Sequence, residues 1–399
     1  MNYRTFPKID DCKISAIGFG LMRLPVLSDT QKIDKEKTRE LVKLAINQGI
    51  NYFDTAYPYH NGESEIVFGE IVKEEKLRDK IYIADKMPIW NVEKEEDFYK
   101  ILDEQLKKLQ TEYIDFYLLH ALNNDSWEKV KKLNGLNFLE KAKEEGKIKH
   151  IGFSFHDNLE TFKKIIDEYD NFEFCQIQYN YIDEDTEKRP QNPGWQGLKY
   201  AGKKELGVII MEPLRGGLLA NPPTGVRDIF ANAEIPRLPA EWALRFIWEN
   251  QEVVTALSGM NTLDQVMVNC AVASTSFPNS MPSSQMEVVK KAQAWFESKI
   301  KVPCTGCRYC VPCPKAVSIP EVFDHYNMAS MRGLLEESGK TFLTDYKNLV
   351  ERGNGANKCV SCGACTKLCP QHIDIPSKLR EAHQVLIWEK TLDICKKSG

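Results

Sequence analysis

Residues 40–54 read Glu40-Leu41-Val42-Lys43-Leu44-Ala45-Ile46-Asn47-Gln48-Gly49-Ile50-Asn51-Tyr52-Phe53-Asp54, and they hold one repeating unit of the fold. Leu41, Leu44, Ala45 and Gln48 recur at the spacing of one helix face. Gly49 is a C-terminal stop signal for that helix. The chain then passes into a short β-rich run at 51–54. Further β-rich runs stand at 14–18, 81–86, 114–120, 148–154, 174–179, 208–211 and 253–258. Helix-period segments separate them at 36–48, 63–76, 94–109, 126–146, 157–169, 195–206, 239–250 and 262–273. Eight β/α alternations of this length predict a (β/α)8 TIM barrel in the α/β class. A doubly wound sheet is the alternative, but no Gly-x-Gly-x-x-Gly follows the first run.

Two features break the alternation. Residues 221–238 predict a proline-rich loop after strand seven, and residues 274–285 a polar linker followed by a helix over 286–300. The barrel with its linker is assigned to 1–285, and 286–399 to a second, mostly helical, ferredoxin-like domain. No internal repeat is visible beyond two cysteine runs.

Those runs are Cys304, Cys307, Cys310, Cys313-Pro314 and Cys359, Cys362, Cys365, Cys369-Pro370. A C-x2-C-x2-C loop brings three thiolates onto one [4Fe–4S] core, and in two-cluster proteins the cysteine before proline ligates the other cluster. The expected sets are therefore Cys304, Cys307, Cys310 and Cys369 for one cluster, and Cys359, Cys362, Cys365 and Cys313 for the second. Structural zinc also uses C-x2-C pairs, but two fused quartets, each closed by Cys-Pro, favour iron–sulfur. About 45 residues separate the runs, which predicts a helical insertion between them and a further helix over 376–395. Cys12, Cys175, Cys270 and Cys395 are scattered and read as ordinary thiols.

The chain has 399 residues, 42% hydrophobic and 28% charged, with a formal charge of -4. That balance gives no footprint for nucleic acid, and no apolar run approaches the ~18 residues of a membrane span. The N-terminus lacks the apolar core of a secretory signal, and eight clustered thiols call for a reducing compartment, so the expectation is a cytoplasmic protein. Residues 299–399 carry 15 Lys+Arg against 10 Asp+Glu, while the rest of the chain is net acidic. A basic surround would offset the negative charge of thiolate-bound clusters.

In such a barrel, catalytic side chains come from the C-terminal ends of the strands. Asp54 ends the second predicted strand and Tyr59 follows five residues on. Lys86 ends the third and His120 the fourth. A carbonyl reduced by hydride needs a proton donor at the developing alkoxide. A phenol titrates near 10, and a neighbouring ammonium pulls it down. Tyr59 is accordingly assigned as general acid, Lys86 as its tuner, Asp54 as the orienter of Lys86, and His120 as the substrate positioner. Taken singly, each also fits a mundane role as ion pair, loop aromatic or core histidine.

Asp, Tyr five residues later, then Lys and His on the next two strands resembles the catalytic tetrad of the aldo-keto reductase superfamily, over roughly residues 14–270. With the cysteine module, the whole chain resembles that superfamily's ferredoxin-bearing bacterial and archaeal members. The resemblance implies NAD(H) or NADP(H) as cofactor, with Ser154 and Gln176 at the nicotinamide carboxamide. Phe155 stands where the family has Asn. It also implies a pyrophosphate turn at Glu212, Leu214, Arg215 and Gly217, and further dinucleotide contacts at Gly259, Asn261, Gln265 and Asn269. Gly259 and Gln265 replace basic residues that would meet a 2′-phosphate, and Asp264 would repel one, which leans the expectation to NADH. Met22, Tyr57, Trp90, Asn123, Trp127 and Trp195 are candidates for the pocket wall.

Hydride moves as an electron pair and clusters pass single electrons, so the two halves need an intermediary to exchange electrons. The first reading is a carbonyl–alcohol oxidoreductase with an appended electron-transfer or docking module. The second is a reductase in which clusters feed single electrons to the substrate, a flavin, or a partner ferredoxin or flavoprotein. A barrel serving only as scaffold for electron transfer is the third.

Overall fold

The structure is a computed structural model and describes residues 1–28, 30, 32–187, 192–304, 306, 308, 310–332, 341–369 and 371–387. It divides into two compact units. The first comprises Met1–Thr186, Asn192–Ala220 and Arg237–Val289; the second holds the described residues of Glu187–Gln191, Asn221–Pro236 and Lys290–Gly399.

The first unit opens with an antiparallel hairpin of β1 (Tyr3–Phe6) and β2 (Ile9–Ser15). Eight parallel strands follow: β3 (Ile17–Gly20), β4 (Tyr52–Asp54), β5 (Tyr82–Met87), β6 (Ile114–Leu122), β7 (Ile148–Phe155), β8 (Phe174–Gln178), β9 (Gly207–Met211) and β10 (Val253–Ser258). They close in sequence order, β10 pairing with β3. The TIM barrel expected from the alternation is what the chain forms. The intervening helices are α1 (Lys35–Asn47), α2 (Glu63–Glu74), α3 (Glu95–Leu109), α4 (Asn124–Lys132), α5 (Gly135–Glu144), α6 (Leu159–Glu168) and α7 (Gly194–Lys203). After β9 the chain forms α8 (Thr224–Ala231), which belongs to the second unit, then α9 (Pro239–Trp248), α10 (Leu263–Ser274) and α11 (Ser283–Ser298), along which the first unit ends.

The unit at 40–54 shows why the pattern works. Asp34 caps α1 by accepting from the Lys37 N–H at 3.1 Å. Gly49 takes φ +93°, and the Ile50 N–H reaches back to the Ala45 carbonyl at 2.9 Å, ending the helix and starting the strand.

Three local expectations change. The β-rich run at 14–18 is shared: Ile14 pairs in the hairpin and the barrel strand begins at Ile17. The helix expected over 126–146 is two. Asn134 turns to φ 60°, and Gly135 sits where a Cβ would lie 2.8 Å from Phe98, so α5 packs close against α3. The stretch 221–238 is not all loop, since α8 lies within it.

The hairpin fills the N-terminal end of the barrel. Phe6 lies 5.1 Å from the Phe116 ring and 5.9 Å from the Phe174 ring. Gly207 makes room for it, because a Cβ there would stand 2.1 Å from Phe6 Cδ1. Ile9, Ile14, Tyr52, Leu118, Ile209 and Val254 complete this buried plug.

The second unit is helical, with α12 (Ile319–Met331), α13 (Thr341–Glu351), α14 (Ala364–Leu368) and α15 (Ile375–Leu386). The helices α12 and α13 occupy the expected insertion between the cysteine runs. Val322, Phe323, Tyr326, Tyr346, Leu349, Leu379 and Leu386 form its core, and six of the cysteines pack against it. Of the helix expected over 376–395, residues 388–395 lie outside the described residues.

Candidate active site and iron–sulfur module

Asp54, Lys86, His120, Ser154 and Gln176 lie on five successive strands, β4 to β8, toward their C-terminal ends. Lys86 is completely buried. Its ammonium donates to Asp54 Oδ1 at 2.7 Å and to the Thr55 carbonyl at 2.6 Å. Burial works against the Lys86 charge, but Asp54 and Tyr59 outweigh it and hold the ammonium above its ordinary range. Tyr59 follows β4 in a short turn where His60, Asn61 and Gly62 all take left-handed backbone. That turn carries the Tyr59 ring to 5.0 Å from Lys86 Nζ and 6.3 Å, edge-on, from the His120 ring. Burial raises the Tyr59 phenol above its ordinary value while Lys86 pulls the other way, so it stands protonated at neutral pH.

His120 is re-aimed by a β-bulge. The β6–β7 register shifts between Leu119 and Leu122, and Ala121 takes φ 53°. The Ala121 N–H donates to Ser154 Oγ at 2.8 Å. Burial first, then Lys86 and His156, pushes the His120 imidazole well below its ordinary value. The ring is neutral, its Nδ1 is buried without a hydrogen-bond partner, and the half-exposed Trp90 lies 5.0 Å away.

A polar network that the sequence reading missed stands behind Lys86. The Lys86 N–H donates to Asp85 Oδ1 at 2.8 Å, and Gln105 Nε2 donates to the Lys86 carbonyl at 3.0 Å and to Glu65 Oε1 at 3.2 Å. Tyr117 donates to Gln105 Oε1 at 2.6 Å, and Lys108 pairs with Glu65 at 2.7 Å. Burial and the neighbouring Glu65 raise the Asp85 carboxyl well above its ordinary value. The available signal was Asp85 itself, a second charged residue in a strand that is otherwise apolar.

The dinucleotide candidates divide. Gln176 Oε1 is buried with no hydrogen-bond partner, which suits an incoming amide N–H. Asn269 donates to Ser258 Oγ at 3.2 Å, and Gln265 accepts from the Asn261 N–H at 2.8 Å, closing its own loop. Arg215 Nε donates to the fully buried Asp183 at 3.0 Å, and Glu212 accepts from the Gly216 N–H. Glu212, Arg215, Gly216 and Gly217 all have positive φ, which shapes the tight turn around Leu214. The sequence reading also missed Arg23, whose side chain lies against Gly259, 3.2 Å from where a Cβ would be.

The wall candidates divide as well. Met22, Trp90 and Trp195 are exposed. Trp127 is not on the mouth: it is fully buried in α4 and donates to Glu168 at 2.7 Å, an indole needing one polar partner. Tyr57 turns to α3, donating to Glu104 at 3.1 Å under Lys108. Asn123 caps α4.

In the second unit, Cys304, Cys310 and Cys369 line one cavity with Arg308, Phe323, Ile319, Ile373 and Ile375. Cys307 lies outside the described residues. Asn327 ties the chain ahead of the first run, accepting from the Lys301 and Val302 N–H groups at 2.9 Å each. Left-handed residues recur at matching places in the two runs, Gly306 and Arg308 in one, Ser361 and Gly363 in the other. Three cysteines on one largely apolar cavity are the donor type a [4Fe–4S] core needs. Burial raises the Cys365 thiol, and Cys359 and Cys362 lie near enough to raise it further.

The decisive match is to sequence families. Residues 16–290 match the model of the aldo/keto reductase family. The chain belongs to that family. Residues 303–373 match the 4Fe-4S dicluster domain, so a C-terminal iron–sulfur domain follows the reductase barrel. A probable aldo-keto reductase of Glycine max is 26% identical over 288 residues, covering 63% of this chain and 80% of the relative. L-galactose dehydrogenase of Arabidopsis thaliana is 26% identical over 283 residues, covering 65% and 84%. Among solved structures, the aldo-keto reductase of Klebsiella pneumoniae in complex with NADPH superposes with a TM-score of 0.59 at 20% identity, over 73% of this chain and 95% of the other. The holo form of a Bacillus halodurans aldo-keto reductase gives 0.57 at 23% identity, over 73% and 96%. The chain is thus an aldo-keto reductase-type oxidoreductase. No helix among the described residues is long and apolar enough to cross a membrane.

Proposed function

We propose that the barrel interconverts a small-molecule carbonyl and its alcohol, with Tyr59 as general acid and base. The observation that carries this is the buried Lys86–Asp54 pair with the Tyr59 and His120 rings gathered at its mouth. A nicotinamide dinucleotide bound at this mouth supplies or accepts the hydride. The chain's own residues do the rest. The protonated Tyr59 hydroxyl donates to the developing alkoxide, and the Lys86 ammonium stabilises the phenolate left behind. Asp54 fixes Lys86, and the neutral His120 ring orients the carbonyl oxygen without competing for the proton.

Gln176 Oε1 and Ser154 Oγ are the groups for the carboxamide, and the turn at Glu212–Gly217 suits pyrophosphate. NADP-bound relatives of the same fold support a nicotinamide cofactor. The lean to NADH rests on Gly259, Asp264 and Gln265, with the aliphatic stem of Arg23 packed beside Gly259. The cysteine runs hold two [4Fe–4S] clusters, with Cys304, Cys307, Cys310 and Cys369 on one and Cys313, Cys359, Cys362 and Cys365 on the other. They serve electron transfer or docking of a redox partner, and the protein works in the cytoplasm, where such thiols stay reduced.

The test is Tyr59→Phe, which removes one hydroxyl and keeps the ring. Loss of about 10²–10⁴ in turnover with unchanged NADH and NADPH binding supports the acid role. Undiminished turnover refutes it.

A further inference from the structure

The two most exposed large apolar side chains among the described residues both lie in the second cysteine run: Leu368 is 61% exposed and Val360 59%. Scattered apolar residues at a surface are ordinary, but these two adjoin Cys359 and Cys369 in the run that also holds Cys362, the only cysteine among the described residues that is itself exposed. Within the run itself the charged side chains are all basic. Lys358 and Lys367 are exposed, and Arg380 reaches in from α15 to donate to Ser361 Oγ at 2.9 Å. From residue 357 to residue 372 there is no Asp or Glu. The nearest acid after the run, Asp374, is exposed, caps α15 and keeps its charge there. Cys304 and Cys310 of the first run and Cys369 of the second are half-buried, lining a cavity with Ile319, Phe323, Ile373 and Ile375.

We propose that the face formed by Val360, Cys362 and Leu368, with its rim of Lys358, Lys367 and Arg380, docks a small acidic electron-carrier protein. This rests on the reading that the second run holds an iron–sulfur cluster. A small apolar centre inside a charged rim is the anatomy of a transient encounter, in which the rim steers and the centre excludes water. Electron-transfer encounters sit at the small end of interface sizes. A second copy of this chain is the poorer occupant, because a two-fold contact would set basic rim against basic rim. The second run is then the port of the module.

The experiment uses full-length protein purified without oxygen, with iron and sulfide counted, titrated calorimetrically with a small acidic two-cluster ferredoxin. Binding should weaken steeply from 50 to 200 mM salt, with an association dominated by rim charges. Lys358→Glu with Lys367→Glu should weaken it by about tenfold or more, and the milder Lys358→Gln with Lys367→Gln by a smaller factor, at unchanged iron content. Leu368→Ser should weaken it at both salt concentrations. Affinity within twofold of the parent in the charge-reversed protein overturns the proposal. So does sedimentation showing a dimer that Leu368→Ser dissolves. A parent protein that holds no iron fails the cluster reading itself, and the docking proposal falls with it.

Discussion

Lys86→Met keeps the length and much of the volume of the side chain while removing its ammonium. The Lys86 and Asp54 side chains are 1% and 3% exposed, so the variant leaves a carboxylate in the barrel with no countercharge. Removing one partner of such a pair costs about 3–5 kcal/mol, and the unpaired Thr55 carbonyl adds about 1 kcal/mol. Burial already lifts the Asp54 carboxyl above its ordinary value against the pull of Lys86; without Lys86 the lift grows. The folded variant then binds a proton that the unfolded chain releases, so its stability rises as pH falls. The deficit is full above the raised folded value and fades toward the unfolded value of about 3.9. Urea unfolding followed by the buried Trp127, Trp242 and Trp248 measures it between pH 8 and 5. Adding Asp54→Asn should recover most of the loss at pH 8 and remove its pH dependence. A deficit below about 1 kcal/mol, or one that Asp54→Asn fails to relieve, refutes a buried ion pair at the centre of the site.

Gln105→Leu removes the partner of the Tyr117 hydroxyl and the side-chain donor to the Lys86 carbonyl, while Glu65 keeps Lys108, at about 1–3 kcal/mol for each buried group left unpaired, measurable in the same titration. Gly69→Ala in α2 would place a Cβ 2.5 Å from the Lys108 carbonyl. It should destabilise by about 1–3 kcal/mol despite alanine's better helix propensity, and a raised melting temperature contradicts that. Burial lowers His120, so it charges only well below its ordinary range and the kcat/KM profile from pH 5 to 8 should show no inflection that His120→Asn removes. For the cluster ligands, Cys304→Ser with Cys369→Ser should lose about half of the iron, whereas Cys359→Ser with Cys369→Ser should lose nearly all. The opposite pattern assigns Cys369 to its own run.

The barrel was legible because its signals are local. Gly49, the i, i+3, i+4 spacing of Leu41, Leu44 and Ala45, and the buried runs each report on a few neighbours. Asp54, Tyr59, Lys86 and His120 were legible for the same reason: strand ends in a barrel face one mouth, so order along the chain becomes proximity. What stayed hidden depends on side chains meeting across elements. Arg23 comes to Gly259 across the β3–β10 pairing, Gln105 reaches Lys86 from α3, and Asp183 meets Arg215 from 32 residues away. No periodicity announces such meetings. The split at Asn134 was hidden because α4 and α5 share one apolar pattern, and the hairpin because Ile14 fits either strand.

That hairpin decides how molecules can come and go. Phe6 and its neighbours cover the N-terminal end with apolar side chains, so the polar groups that stay reachable are those toward the C-terminal ends of β4 to β8. Under the proposed activity, dinucleotide and substrate would both approach from that one side and share one entrance.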